Sequence, residues 1–179
     1  MTASFMRHLV FATSIGVIAY FCNSAQADDK ASPPNQLAPL ERFVGEWTVN
    51  GKWSSGDELH ARNIYAWGLG NKIMTAKTFV QFEKGEYQRY EGVMAWHPNK
   101  KNLFIISFAY DGNMTENIVE TKEDDTILIG FVPFHQGEPS KVRQTIKFKD
   151  KDHFTWKVEL QGKGSWQELI DATWVRKTN

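Results

Sequence analysis

The stretch Glu41-Arg42-Phe43-Val44-Gly45-Glu46-Trp47-Thr48-Val49-Asn50-Gly51-Lys52-Trp53 decides the fold. Leu40, Phe43 and Val44 are spaced like one short helical turn, and Gly45 breaks it. Trp47, Val49, Gly51 and Trp53 then alternate with Glu46, Thr48, Asn50 and Lys52, the period of a half-buried strand. A helical plug running directly into a Gly-x-Trp strand predicts the closed end of a β-barrel.

Working outward, strand-like runs alternate with short turn clusters to the end of the chain. The pattern predicts strands at Glu46–Trp53, Glu58–Trp67, Lys72–Phe82, Glu86–Trp96, Leu103–Tyr110, Met114–Thr121, Thr126–Phe134, Val142–Lys149, His153–Leu160 and Ser165–Lys177. Asp111-Gly112 between two alternating runs is a strong hairpin signal. Glu123-Asp124-Asp125 and Glu138-Pro139-Ser140 read as turns. No segment beyond the opening plug keeps a 3.6-residue period over ten residues, which argues against βαβ units and parallel pairing. Ten consecutive strands on short turns predict an all-β fold, a single ten-stranded up-and-down antiparallel barrel closed by a short N-terminal helix, because closure removes exposed edges. A two-sheet sandwich with Greek-key crossings is the alternative use of the same strands. Val142, Gln144, Ile146 and Phe148 in strand eight, and Phe154, Trp156, Val158 and Leu160 in strand nine, are expected to point inward.

Ahead of the plug, residues 1–27 have the form of a signal peptide. Arg7 and His8 precede an apolar run from Leu9 to Phe21, about 13 residues against the roughly 20 that span a bilayer as a helix. Ala25-Gln26-Ala27 supplies the small residues of a cleavage site. Cleavage after Ala27 and a periplasmic or secreted location are expected, with no membrane span left afterwards. Residues 28–38 read as a flexible linker, with Pro33 and Pro34, and residues 39–179 as the barrel domain. Cys22 is the sole cysteine and lies in the leader, so the remaining chain can form no disulfide. About 150 residues suffice for one packed core. With Arg7 removed, the 21 Asp and Glu outnumber the Lys and Arg by one. That near balance gives no electrostatic case for nucleic acid.

The Gly45-Glu46-Trp47 start after a short helix resembles the first-strand motif of lipocalins and the wider calycin group. Ala172-Thr173-Trp174-Val175-Arg176-Lys177 resembles their last strand, where a basic residue packs across the first-strand Trp. The resemblance implies that Arg176 covers Trp47 and closes the barrel, a cation–π contact worth roughly 0.5–2 kcal/mol. Tyr90-Glu91-Gly92-Val93-Met94-Ala95-Trp96, Phe108-Ala109-Tyr110-Asp111-Gly112 and the ten runs look closer to the ten-stranded members. These are the nitrobindin-like barrels and a family of exported bacterial lipocalin-like proteins with no assigned activity. The resemblance spans about residues 38–177 and implies a barrel with a small-molecule cavity. Nitrobindins hold haem through a histidine late in the barrel. The late histidine here, His153, shares a row with Lys157 and Glu159 that is expected to face solvent. No cofactor is therefore expected, haem being the one the resemblance leaves open.

The chemistry-bearing residues form no catalytic signature. His60, His97, His135 and His153 lack metal-ligand spacing. No Ser lies in a Gly-x-Ser-x-Gly turn, and a thiol nucleophile is excluded. Glu91, Glu116 and Glu168 fall within strands, where an inward Glu91 or Glu168 would make an acid or base. An outer cross-strand ion pair is the plainer role. Trp53, Tyr65, Tyr90, Phe108, Trp156 and Trp166 are the expected cavity lining, with Arg62 or Arg89 to meet a polar headgroup. The same aromatics could simply fill the barrel. The leading expectation is a non-enzymatic barrel binding a small apolar or amphipathic molecule. An enzyme built on an inward carboxylate and a filled barrel serving as an interaction domain are the alternatives.

Overall fold

The computed structural model describes residues 35–122, 126–131, 141–162 and 164–178. The expected leader and cleavage site, the expected linker up to residue 34, residues 132–134 of the seventh expected strand and the expected turns at 123–125 and 138–140 lie outside the described residues. A 3-10 helix, Asn35–Phe43, opens the structure. Ten strands follow: β1 Gly45–Lys52, β2 Glu58–Gly68, β3 Ile73–Phe82, β4 Gly85–His97, β5 Asn102–Ala109, β6 Met114–Thr121, β7 Thr126–Phe131, β8 Val142–Phe148, β9 His153–Gln161 and β10 Trp166–Arg176. Each pairs antiparallel with its sequence neighbours, and β1 pairs with β10 to close the barrel. The sandwich alternative is thereby excluded.

The helix begins at Asn35, so residues 35–38 belong to the plug and not to the linker. The reason lies in the spacing. Leu37, Leu40 and Phe43 recur every third residue, the period of a 3-10 helix, so their side chains stack on one face. That face enters the barrel, where the three are at most 2% exposed. Each fully buried side chain of this kind is worth about 1.5–3 kcal/mol. Phe43 meets Tyr65, Phe148 and Phe154 at ring-centroid separations of 5.1, 5.0 and 5.7 Å. Trp47 lies beside them and donates its indole N–H to the Phe43 carbonyl at 2.6 Å.

Arg176 fastens this end. Its guanidinium carbon lies 4.1 Å from the Trp47 ring centroid. Its Nη2 donates to the Arg42 carbonyl at 2.8 Å, its Nε to the Lys151 carbonyl at 3.0 Å, and its Nη1 to the Val44 carbonyl. Two of these carbonyls belong to the end of the plug, where backbone acceptors have no helical partner. Trp47 and Arg176 are also paired residues of the β1–β10 ladder. That ladder is short. Only Trp47 with Arg176 and Thr48 with Val175 are in register, whereas β1 and β2 share eight pairs. Further along, a single bond from the Ser54 N–H to the Leu169 carbonyl, 2.7 Å, ties the seam again.

Two irregularities steer side chains. In β4, Thr78 pairs with Tyr90 and Phe79 with Gln88, so Arg89 is an extra residue in a bulge. In β10, the register shifts between Glu168 and Ile170. Such insertions reset which residues face inward.

Candidate functional site

The barrel encloses a cavity of about 460 Å³, within the range of roughly 300–1,000 Å³ typical of ligand sites. Leu40 and Phe43 of the plug form its floor. The hollow has an identifiable cause. Facing residues Tyr65, Ala76, Gly92, Ser107 and Thr115 run across β2 to β6 as one row. Four of those five are small. A Cβ added at Gly92 would already stand 3.1 Å from the Ser107 Oγ and 3.2 Å from the Ile106 carbonyl. Small side chains on this wall leave space that the larger Ile146, Phe154, Trp156 and Trp174 on β8 to β10 do not fill.

Five of the eight expected lining residues face this space: Trp53, Tyr65, Arg89, Tyr90 and Trp156. Trp53 and Trp156 meet edge to face at 6.0 Å. The Trp156 indole donates to Gln144 Oε1 at 2.7 Å. Tyr65 is buried, and its hydroxyl accepts from Asn63 Nδ2 at 3.0 Å. Burial pushes its pKa up to about 12, with the Asn63 bond acting against that rise. Tyr65 is therefore a phenol at any physiological pH. The Arg89 pKa is raised, first by its bond to the Tyr90 hydroxyl and further by the carboxylate of Asp111. It stays cationic at the end of the cavity away from the plug, its guanidinium 5.5 Å from the Tyr90 ring centroid.

The other three lie outside the lumen. Arg62 sits on the outer face between Glu86 at 2.6 Å and Glu46 at 3.5 Å, over Phe79 at 4.3 Å. Its parity in β2 is opposite to that of Tyr65, so one regular strand cannot aim both inward. Phe108 is 47% exposed, because in β5 the inward parity belongs to Ile105 and Ser107. Trp166 lies under the Arg143 guanidinium at 4.2 Å, on the outer side of the β10 shift.

The strand carboxylates considered as acids or bases are outer ion pairs. Glu91 meets Lys77 at 3.8 Å, Glu116 meets Lys100 at 2.9 Å and Glu168 meets Lys157 at 3.0 Å. Glu159 is the most buried carboxylate among the described residues, but it too faces outward, to Arg143 at 2.6 Å and Lys157 at 3.5 Å. The Arg143 hydrogen bond holds its carboxyl below the ordinary value. No Asp, Glu, His or Cys is among the described residues lining the cavity. No three such residues gather into a metal site among the described residues. Among the described residues lining the cavity, the donor set offers no histidine to hold haem, and His135 lies outside the described residues. His153 is engaged by Asp150 at 2.9 Å in the β8–β9 turn.

Among the polar lining residues that escaped the sequence reading are Asn63 on β2 and Asn117 on β6. They are 8% and 5% exposed, and the side-chain Oδ1 of each is buried without a hydrogen-bond partner. An unpaired buried acceptor costs about 1–3 kcal/mol. Asn63 has the parity of Tyr65, and Asn117 that of Val119, so alternation from either neighbour identifies both as inward.

Comparison with known proteins bears on this architecture. No family model matches the sequence, and no curated protein matches it. Among solved structures, Rv2717c from M. tuberculosis superposes with a TM-score of 0.54 at 12% identity, over 82% of this chain and 100% of the other. The S-type phycobiliprotein lyase CPES from Guillardia theta superposes with a TM-score of 0.51 at 11% identity, over 82% of this chain and 99% of the other. Identities this low speak for the fold alone, here a closed antiparallel barrel.

Proposed function

We propose that this protein is an exported carrier that holds a small apolar or amphipathic molecule inside its barrel and performs no chemistry on it. The observation that carries this reading is the cavity itself, about 460 Å³ behind a plugged end, with mostly apolar walls and a few placed polar groups. A barrel serving only as a scaffold gains nothing from a row of small residues that leaves its centre hollow, since interiors otherwise pack to crystal-like density. The cation at Arg89 suits the anionic or polar end of an amphipathic guest. Among the ten-stranded members of the calycin group we place the chain nearest the nitrobindin-like and exported bacterial lipocalin-like barrels, on strand number and leader. The reading takes the ligand to be an organic molecule rather than haem, since no histidine among the described residues lines the cavity.

The test is intrinsic tryptophan fluorescence during titration with 1-anilinonaphthalene-8-sulfonate and with palmitate, since Trp53 and Trp156 border the cavity. Saturable quenching or energy transfer is expected. Ala76→Phe, which places a ring in the lumen, should abolish it while the fold is kept. Binding unaffected by Ala76→Phe would move the site to the outer surface and end the proposal. Export is checked by the mass of the mature chain, expected to begin at Asp28.

A further inference from the structure

Asn63 and Asn117 each carry a polar atom that the fold leaves unpaired. Asn63 gives its Nδ2 to the Tyr65 hydroxyl at 3.0 Å, and Asn117 gives its Nδ2 to Thr115 Oγ1 at 3.2 Å. Both carbonyl oxygens are left buried without a partner. Each residue is more than nine-tenths buried, and each borders the cavity. In the ring of ten strands, β3, β4 and β5 separate β2 from β6, so the two amides stand at the two ends of that arc. The small residues Ala76, Gly92 and Ser107 occupy the wall between them. Placing two unsatisfied acceptors in a mostly apolar lumen destabilises the protein. A guest that donates to both removes that penalty. A fatty chain with one terminal headgroup can meet at most one of them along its polar end.

Resting on the reading of the barrel as a carrier, we propose that its ligand is a compact apolar body bearing two separate hydrogen-bond donors, O–H or N–H, one for Asn63 Oδ1 and one for Asn117 Oδ1. The two carbonyls supply selectivity, because a site built to pair a donor rejects the analogue that lacks it more strongly than apolar pockets reject a changed methyl group. The apolar wall supplies the general affinity.

Equilibrium dialysis of the full protein against bisphenol A and against its dimethyl ether tests this. The two probes share one apolar body; the first has two phenolic O–H donors and the second has none. 1-Anilinonaphthalene-8-sulfonate reports cavity binding independently. The expected result is binding of all three, with the diol about tenfold tighter than the ether. Asn63→Leu and Asn117→Leu should each reduce that ratio, and the double variant should bring it to within twofold, with affinity for the ether kept. Asn117→Leu should also melt at or above the temperature of the unsubstituted protein when empty, because an unpaired acceptor is gone. Should one variant fail to fold, the other alone still reads the ratio.

A diol-to-ether ratio within twofold in the unsubstituted protein, with the sulfonate bound, overturns the donor assignment and leaves the carrier standing. That is also the result if ordered water already satisfies both carbonyls. A ratio that survives the double substitution overturns it too. Failure of all three probes to bind overturns the carrier reading and the donor assignment together.

Discussion

Gly45 joins plug to barrel at a φ of +123°, and a Cβ there would stand 2.8 Å from Arg176 Nη1. Both facts select glycine, since L side chains rarely take this conformation and no atom fits the gap. Gly45→Ala is expected to cost about 1–3 kcal/mol from backbone strain alone, with further loss as Arg176 is pushed off the carbonyls it caps. Urea denaturation measures the difference. Glu159 gives a pH dependence. Its folded pKa is lowered beneath its ordinary 4.5 by Arg143 first and by Lys157 in addition. A depressed carboxyl contributes stability that is complete above the ordinary value and is lost as pH falls through the folded one. Melting temperature should therefore be flat from neutral pH down to the ordinary glutamate range and fall in more acid solution. Glu159→Gln should melt lower near pH 7 and show a shallower acid decline, as thermal scans across pH will read. Parallel acid declines in the two proteins would show that Glu159 does not govern the acid limb.

At the scale of elements, the plug shows what a sequence makes legible and what it hides. Leu37, Leu40 and Phe43 form a three-residue stripe, yet Leu37 and the polar residues ahead of it read as linker. The distinction rests on contacts with Tyr65, Phe148 and Phe154, which are distant in sequence. Leu40→Ala should cost about 2–5 kcal/mol as a cavity-forming truncation. It should also enlarge the cavity, since Leu40 forms its floor. Chemical denaturation tests the first effect, and binding of a longer fatty acid the second. Strand positions were legible because alternation and turn residues are local. Facing was legible where one side of a strand was polar, as in β8 and β9. It was not where both sides were apolar, which put Phe108 on the wrong side of β5. Nor was it legible across the β10 shift, where the residues before and after the irregularity obey opposite parity and Trp166 changes faces. Arg62 was a different case, because parity relative to Tyr65 already excluded it.

The whole molecule is a cylinder whose two arcs differ in composition. β2 to β6 contribute Ala76, Gly92, Ser107 and Thr115 to the inner surface, and β8 to β10 contribute Ile146, Phe154, Trp156 and Trp174. Volume and polarity follow from that asymmetry, and neither can be read from one strand, because the row forms only when register is set across five. The same ring has nine sequential junctions and one that joins its ends, where only two residue pairs lie in register. In native-state hydrogen–deuterium exchange, amides of β1 between Thr48 and Ser54 that point toward β10 should exchange ahead of those that point toward β2, since local opening begins where hydrogen-bonded contact is least. Uniform protection along both edges of β1 would contradict this. A hoop yields at its weld: thermal breathing at this joint would open a lateral slit while the stoppered base stays shut.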